Sequence, residues 1–276
     1  MALSINTNYP AAVALLALTS NQDQLDVSKS RMATGLRVQT AADDAFAWGN
    51  AEATKVKNSV LAGNYATASH VAGVLSVATG AAAQISTVLR NISALAASAT
   101  SSDVTANRLT DIDNAYKSLL GSIDSIVNGA NAFSLNLIKN TTTLSVNFLQ
   151  SSGAVAASST TINGIKLDAT TLGVNGTDCS TVANAQTAIA KCEAAIQTVA
   201  DAVAKLGAVQ GLMERTATSF KGSLTVGEKA VSDYVDADLG VESSIVQALQ
   251  VKQQLTAQSR TIANTNPSVL LRLFRN

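Results

Sequence analysis

VANAQTAIAKCEAAIQTVADAVAKLGAVQGLMERTATSFKGSL, residues 182–224, carries apolar side chains at Val182, Ala185, Ile189, Cys192, Ile196, Val199, Val203 and Leu206. The steps alternate between four and three residues, which is the seam of a coiled-coil-like helix. After Gln210 the pattern resumes with Met213, Ala217, Phe220 and Leu224. As one helix, residues 180–224 would span roughly 65 Å at the α-helical rise. A compact chain of this length would be only about 50 Å across, so the pattern predicts an elongated molecule.

Two further stretches have the same period. One runs Val71, Leu75, Ala78, Ala82, Ile85, Leu89, Ile92 and Ala96; the other runs Leu109, Ile112, Tyr116, Leu119, Ile123 and Ile126. Alanine at many inward positions favours helix and lets neighbouring helices approach closely. The only two prolines, Pro10 and Pro267, lie near the ends, so no helix breaker interrupts the chain between them.

The two ends carry narrower repeats. Ala11, Leu18, Leu25 and Met32 stand seven apart, with Leu15 and Leu36 alongside. At the other end Val241, Ala248, Leu255, Ile262 and Val269 do the same, with Ile245 beside them. Gln22, Lys29, Lys252 and Ser259 break these stripes. Neither helix buries enough to be stable in isolation; they need each other, or other copies of the chain.

The middle differs. Residues 140–176 are rich in Thr, Ser and Gly, with strand-like alternation at Leu144, Val146 and Phe148. Asn163-Gly164 stands between short apolar runs, a hairpin turn signal. Thr177 or Ser180 is then placed to cap the long helix that follows. The expected fold is mainly α: an elongated bundle of long coiled-coil-like helices from both chain ends, with a small β-hairpin region in the middle.

Composition narrows the function. Of 276 residues, 47% are hydrophobic but only 4% aromatic and 14% charged, and 19 basic residues balance 19 acidic ones. Without a basic stripe, nucleic-acid binding is not expected. One histidine and two cysteines leave little for a metal site, a cofactor or a nucleophile pair, so no enzyme is expected. Asp43-Asp44 reads as a helix start, with Thr40 or Asp43 as the cap, and Asp236 and Asp238 with Glu242 read the same way. His70 falls one residue off the apolar seam and reads as a solvated side chain. Cys179 and Cys192 match no zinc spacing, and in a continuous helix they would lie roughly 20 Å apart, too far for a bridge. The apolar run from Pro10 to Leu18 has no Lys or Arg before it, unlike a secretory signal. Uninterrupted apolar runs fall short of a membrane span, so no membrane partner is expected.

The terminal residues resemble bacterial flagellin, the short α-proteobacterial type. Met1-Ala2-Leu3-Ser4-Ile5-Asn6-Thr7-Asn8 is similar to the family's opening, and Ser30-Arg31-Met32-Ala33-Thr34-Gly35-Leu36-Arg37-Val38 to a segment that follows it. Ala41-Ala42-Asp43-Asp44-Ala45-Phe46-Ala47-Trp48, Val235-Asp236-Ala237-Asp238-Leu239 and Pro267-Ser268-Val269-Leu270-Leu271-Arg272-Leu273 also resemble family motifs. Gly240, Asn276 and the two cysteines depart from the family pattern.

The resemblance implies a structural subunit that polymerises into the flagellar filament and so enables swimming. It implies export by the flagellar type III apparatus, assembly at the filament tip and an extracellular location. Residues 1–42 with 234–276 would form inner-tube helices that are disordered in the monomer and fold on assembly. Residues 43–133 with 177–233 would form an outer-tube bundle, and 134–176 a small surface-exposed hairpin region. The assembly seams would be Ala11, Leu15, Leu18, Leu25, Met32, Leu36, Val241, Ile245, Ala248, Leu255, Ile262 and Val269. Implied partners are further copies of the chain, an export chaperone, and the cap and junction proteins. Two alternatives stand beside it: a hook–filament junction protein, and a cytoplasmic signalling coiled coil.

Overall fold

The structure, a computed structural model, describes residues 7–149 and 155–273, without the side chains of 155–158 and 266–273. Most of the opening motif, Met1–Asn6, lies outside the described residues. Among the described residues there are five helices: α1 (Tyr9–Thr34), α2 (Ala45–Ala99), α3 (Ala106–Gly129), α4 (Val182–Val235) and α5 (Leu239–Leu273). Between α3 and α4 lie β1 (Thr143–Leu149) and β2 (Val155–Asn163). The chain forms two compact units, Met1–Lys55 with Gly227–Asn276, and Val56–Val226.

In the second unit one apolar core takes side chains from α2, α3, the hairpin and α4. The α2 stripe Leu75, Ala82, Ile85, Leu89 and Ile92 is fully buried, as its three-four spacing predicts. On α4 the deepest line is Ala185, Ala188, Cys192, Ala195, Val199, Ala202 and Leu206. The expected Ile189, Ile196 and Val203 flank this line half-buried. Small side chains therefore sit at the closest approach and larger ones fill the grooves beside them, as dense packing requires. By length and composition α2 also reaches what a membrane crossing needs, although no uninterrupted apolar run does; 44% of its most apolar window is buried inside the fold.

The hairpin is antiparallel, with Thr143 opposite Asn163, Leu144 opposite Ile162 and a register irregularity between Asn147 and Leu149. Alternation works as expected: Val146, Phe148 and Ile162 point into the core, and Phe148 packs against Phe220 with ring centroids 5.2 Å apart. Asn64 of α2 anchors the far end, since its side-chain amide takes the Leu149 N–H at 2.9 Å and donates to the Leu149 carbonyl at 2.7 Å. The amide thus stands in for a neighbouring strand.

Asn163-Gly164 is not the hairpin turn; it ends β2. Gly164 donates to the Thr142 carbonyl at 3.1 Å, and a Cβ on it would meet the Asn140 carbonyl at 2.2 Å. Glycine is required by close backbone approach rather than by turn geometry. The following segment contributes Leu167, Leu172, Val174 and Cys179 to the core. The cap of α4 is Thr181, whose hydroxyl accepts the Asn184 N–H at 3.1 Å, rather than Thr177 or Ser180. His70 is exposed, as expected, but stacks on Phe133 at 4.5 Å between ring centroids.

Gly164→Ala is expected to destabilise the Val56–Val226 unit by about 1–3 kcal/mol, because the Asn140 backbone must move. Chemical denaturation of the full chain followed by far-UV circular dichroism checks this; an unchanged midpoint would contradict the close approach.

Candidate functional site

The motifs shared by the two chain ends meet in the first unit. α1 starts with Pro10 in its first turn, a residue whose missing N–H costs nothing there, and Asn8 caps it by accepting the Ala11 N–H. α1 ends at Gly35, whose φ of 72° is left-handed and whose N–H closes on the Arg31 carbonyl at 2.8 Å. Past this turn, the Arg37 and Val38 N–H groups donate to the Val235 carbonyl at 2.7 and 3.2 Å, and Ala237 donates back to the Gly35 carbonyl at 2.9 Å. Arg37 also donates from its guanidinium to the Tyr234 carbonyl at 2.7 Å. Val38, Ala47, Ala51 and Val235 are buried together beneath this crossing, with Leu36 against them.

The acidic pairs are structural. Asp43 gathers the Gln39 and Thr40 N–H groups at 3.0 and 2.9 Å. These bonds, the Thr40 N–H first, hold its carboxyl below the usual carboxylate range. Asp44, not Thr40 or Asp43, caps α2 by accepting the Ala47 N–H at 2.9 Å. Asp238 caps α5 by accepting from Gly240 and Val241. A Cβ at position 240 would lie 3.2 Å from the Asp238 carboxylate oxygen. Among the described residues no group of three His, Cys, Asp or Glu side chains is placed to hold a metal ion.

α1 and α5 pair antiparallel. Polar groups set the register: Asn8 donates to the Ala263 carbonyl at 3.0 Å, Asn21 to the Leu249 carbonyl at 3.0 Å, Gln253 to Gln22 at 2.5 Å, and Arg31 pairs with Glu242 at 3.3 Å. The residues buried along the pair are Ala14, Asn21, Leu25 and Ser28 on α1, and Glu242, Val246, Leu249 and Ala263 on α5.

Of the seam residues expected from sequence, Leu25 is buried in this pair, while Ala11, Leu18 and Leu36 are half-buried. Leu15 and Met32 are exposed. On α5, Val241, Ile245, Ala248, Leu255 and Ile262 are all exposed; Val269 has its side chain outside the described residues. The line that α5 turns toward α1 is displaced by one residue, through Glu242, Val246, Leu249 and Gln253. Heptad reading overlooks it because half of it is polar. Its signal lay in Gln22, which read as an interruption of the stripe. Most of the apolar stripe of α5 is left uncovered by α1, with Leu255 60% and Ile262 65% exposed. Between the helices a groove of about 350 Å³ opens, lined by Val27, Ser28, Arg31, Ile245 and Leu249, with Asp23 and Gln24 at its edge.

Comparison with known proteins places both ends in one family. Residues 5–143 match the bacterial flagellin N-terminal helical region, and residues 189–274 match the bacterial flagellin C-terminal helical region. A flagellin of Brucella melitensis is 31% identical, over 99% of this chain and 99% of its own. Flagellin FljN of Caulobacter vibrioides is 33% identical over 99% of this chain and 98% of its own. Flagellin FljJ of the same organism is 28% identical over 100% and 99%.

A chain carrying Gln22→Cys and Gln253→Cys, with Cys179 and Cys192 replaced by Ala, is expected to form an intramolecular disulfide nearly quantitatively on mild oxidation. Gln22→Cys with Leu255→Cys is expected to give little. Peptide mapping of protein oxidised after assembly by salting-out checks this, and equal crosslinking of both pairs would contradict the register.

Proposed function

The chain belongs to the bacterial flagellin family, and we propose that its part in the flagellar filament is set by which faces of α1 and α5 remain uncovered. It is a structural subunit of the filament; whole-length similarity to flagellins favours this over a junction protein or a signalling coiled coil. The filaments that this family builds are extracellular.

In the proposed reading, residues 1–42 and 234–276 line the inner tube, residues 43–133 and 177–233 form the outer tube, and 134–176 face outward. The observation that carries it is the α5 stripe Val241, Ile245, Leu255 and Ile262, exposed although α5 already has a partner in α1. Leu15, Leu16, Val27 and Met32 leave α1 similarly uncovered. Burying one such side chain fully is worth roughly 1.5–3 kcal/mol, so covering several against neighbouring copies would offset the entropy of ordering both helices. Polymerisation then supplies the stability that the isolated pair lacks, and the ends fold as the subunit joins the tip. Before that, an export chaperone would cover the same apolar residues. The type III apparatus would export the chain, and cap and junction proteins would bound the filament.

Leu255→Asp places a charge at an exposed position, so it is expected to change the monomer's stability by less than about 0.5 kcal/mol. A charge desolvated between copies is costly, and filament formation is expected to be lost. Negative-stain electron microscopy after salting-out, beside thermal melts of the monomer, separates the two effects. Leu18→Asp, at a half-buried site, is expected to act the same way. Filaments of Leu255→Asp at the wild-type critical concentration would overturn the stripe's role.

A further inference from the structure

The sequence holds three Asn-Gly pairs: Asn128-Gly129, Asn163-Gly164 and Asn175-Gly176. Asparagine before glycine is chemically labile, because the next backbone nitrogen can reach the side-chain carbonyl carbon and glycine has no Cβ to crowd the approach. Ring closure needs a backbone free to swing that nitrogen toward the side chain. The fold grants this freedom to the three pairs unequally.

Asn128 and Gly129 lie in the last turn of α3, where helical geometry commits each N–H to the preceding turn and holds it away from the neighbouring side chain. Asn163 ends β2 opposite Thr143, and its side-chain oxygen accepts the Thr143 hydroxyl at 3.2 Å. Gly164 is buried against the Asn140 carbonyl, and its N–H is spent on the Thr142 carbonyl at 3.1 Å. Neither glycine nitrogen can move without local unfolding.

Asn175-Gly176 is different. Both residues are exposed and lie outside any helix or strand. They are the two central residues of a turn that the Thr177 N–H closes on the Val174 carbonyl at 3.4 Å, with Gly176 at a φ of 77°, as in a type II turn. The Gly176 N–H has no acceptor among the described residues. Asn175 is steadied by its own N–H on the Ala169 carbonyl at 3.0 Å and by its amide on the Thr170 hydroxyl at 3.1 Å. The second bond is exposed, and such a bond is worth about 1 kcal/mol, too little to keep the side chain from turning back on the main chain.

We propose that Asn175 is a deamidation site, converting spontaneously in water to aspartate and isoaspartate. The Gly176 nitrogen loses its proton and bonds to the Asn175 side-chain carbonyl carbon. The bond from that carbon to Nδ2 breaks, and ammonia leaves. Water then opens the five-membered imide at either of its carbonyls, so that one water is consumed, one ammonia is released and no oxidation state changes. Opening at the main-chain carbonyl gives isoaspartate, which inserts a methylene into the backbone between Val174, buried in the core, and Thr177, whose hydroxyl holds the Tyr116 phenol at 2.5 Å. Either product adds a negative charge to a segment that already carries Asp168 and Asp178. The longer backbone cannot keep both anchors in register, and the grip of this loop on the core loosens. The site lies wholly in the Val56–Val226 unit and does not depend on the filament reading.

The test incubates the full folded chain in warm, mildly alkaline buffer and maps its peptides by mass spectrometry, with isoaspartyl methyltransferase labelling beside it. Lys139 and Lys166 put the three pairs on separate tryptic peptides. Conversion at Asn175 is expected to run at least an order of magnitude faster than at Asn128 and Asn163, and all three are expected to convert at similar rates in denaturant. Asn175→Gln keeps an amide but disfavours the ring, and should remove the labelling of that peptide. Equal rates at the three sites in the folded chain, faster conversion at Asn128 or Asn163, or no isoaspartate at 175 would each overturn the proposal. The acidic form, separated by anion exchange, is expected to melt several degrees below the unmodified chain; an equal midpoint would overturn the loosening of the loop.

Discussion

The antiparallel contact between α1 and α5 is made of the wrong materials for a self-sufficient helix pair, and the rest of the first unit follows from that. Its register depends on Asn8, Asn21, Gln22 and Arg31, and it buries alanine, serine and glutamate along with Leu25, Val246 and Leu249. Two buried polar atoms, Asn21 Oδ1 and Glu242 Oε2, lack a hydrogen-bond partner. Each such atom costs about 1–3 kcal/mol. The polar seam specifies alignment at the expense of stability, a division of labour known from polar residues in coiled-coil seams. Apolar area that could have stabilised the pair is left on the outside, where only another chain can cover it.

The crossing of residues 35–38 with 234–237 answers a different need. Backbone groups pair with backbone groups there, Gly35 turns the chain with a left-handed φ, and Asp43, Asp44 and Asp238 satisfy the turn and the two helix starts. The motifs around residues 35–48 and 235–239 therefore supply the hydrogen bonds of one crossing. In the second unit the alanine-lined core does the opposite work. Side chains of α2, α3, the hairpin and α4 bury one another there within one chain, so the chain joins a bundle that covers its own core to ends that leave apolar faces open.

Long helices were legible because their apolar positions repeat over many turns, and alternation at Leu144, Val146 and Phe148 correctly marked a strand. Local chemistry was less so. Asn163-Gly164 carries a turn signature, yet its glycine answers to the Asn140 carbonyl, a contact with no trace in neighbouring residues. Asp238 was read as a helix start and caps α5, but the caps of α2 and α4 lie one to four positions from those expected, at Asp44 and Thr181, because several eligible oxygen-bearing side chains stand in a row and only backbone geometry selects among them. The α5 seam was read from its apolar stripe, whereas the face toward α1 is partly polar and follows the register bonds. Heptad reading identifies which residues avoid water; it does not say which partner covers them. The seating of residues 177 and 179 depends on Asp113 and Tyr116, more than sixty residues earlier, and no local pattern reveals it.

The central claim is that the outer faces of α1 and α5 are covered by other copies of the chain and gain their stability only then. Hydrogen exchange read by mass spectrometry on monomer and on sedimented filament tests it most directly. Amides of α1 and α5 should exchange rapidly in the monomer and become strongly protected in the filament, while those of α3 and the adjoining core stay protected in both. Equal protection of α1 and α5 in the two states would contradict the account.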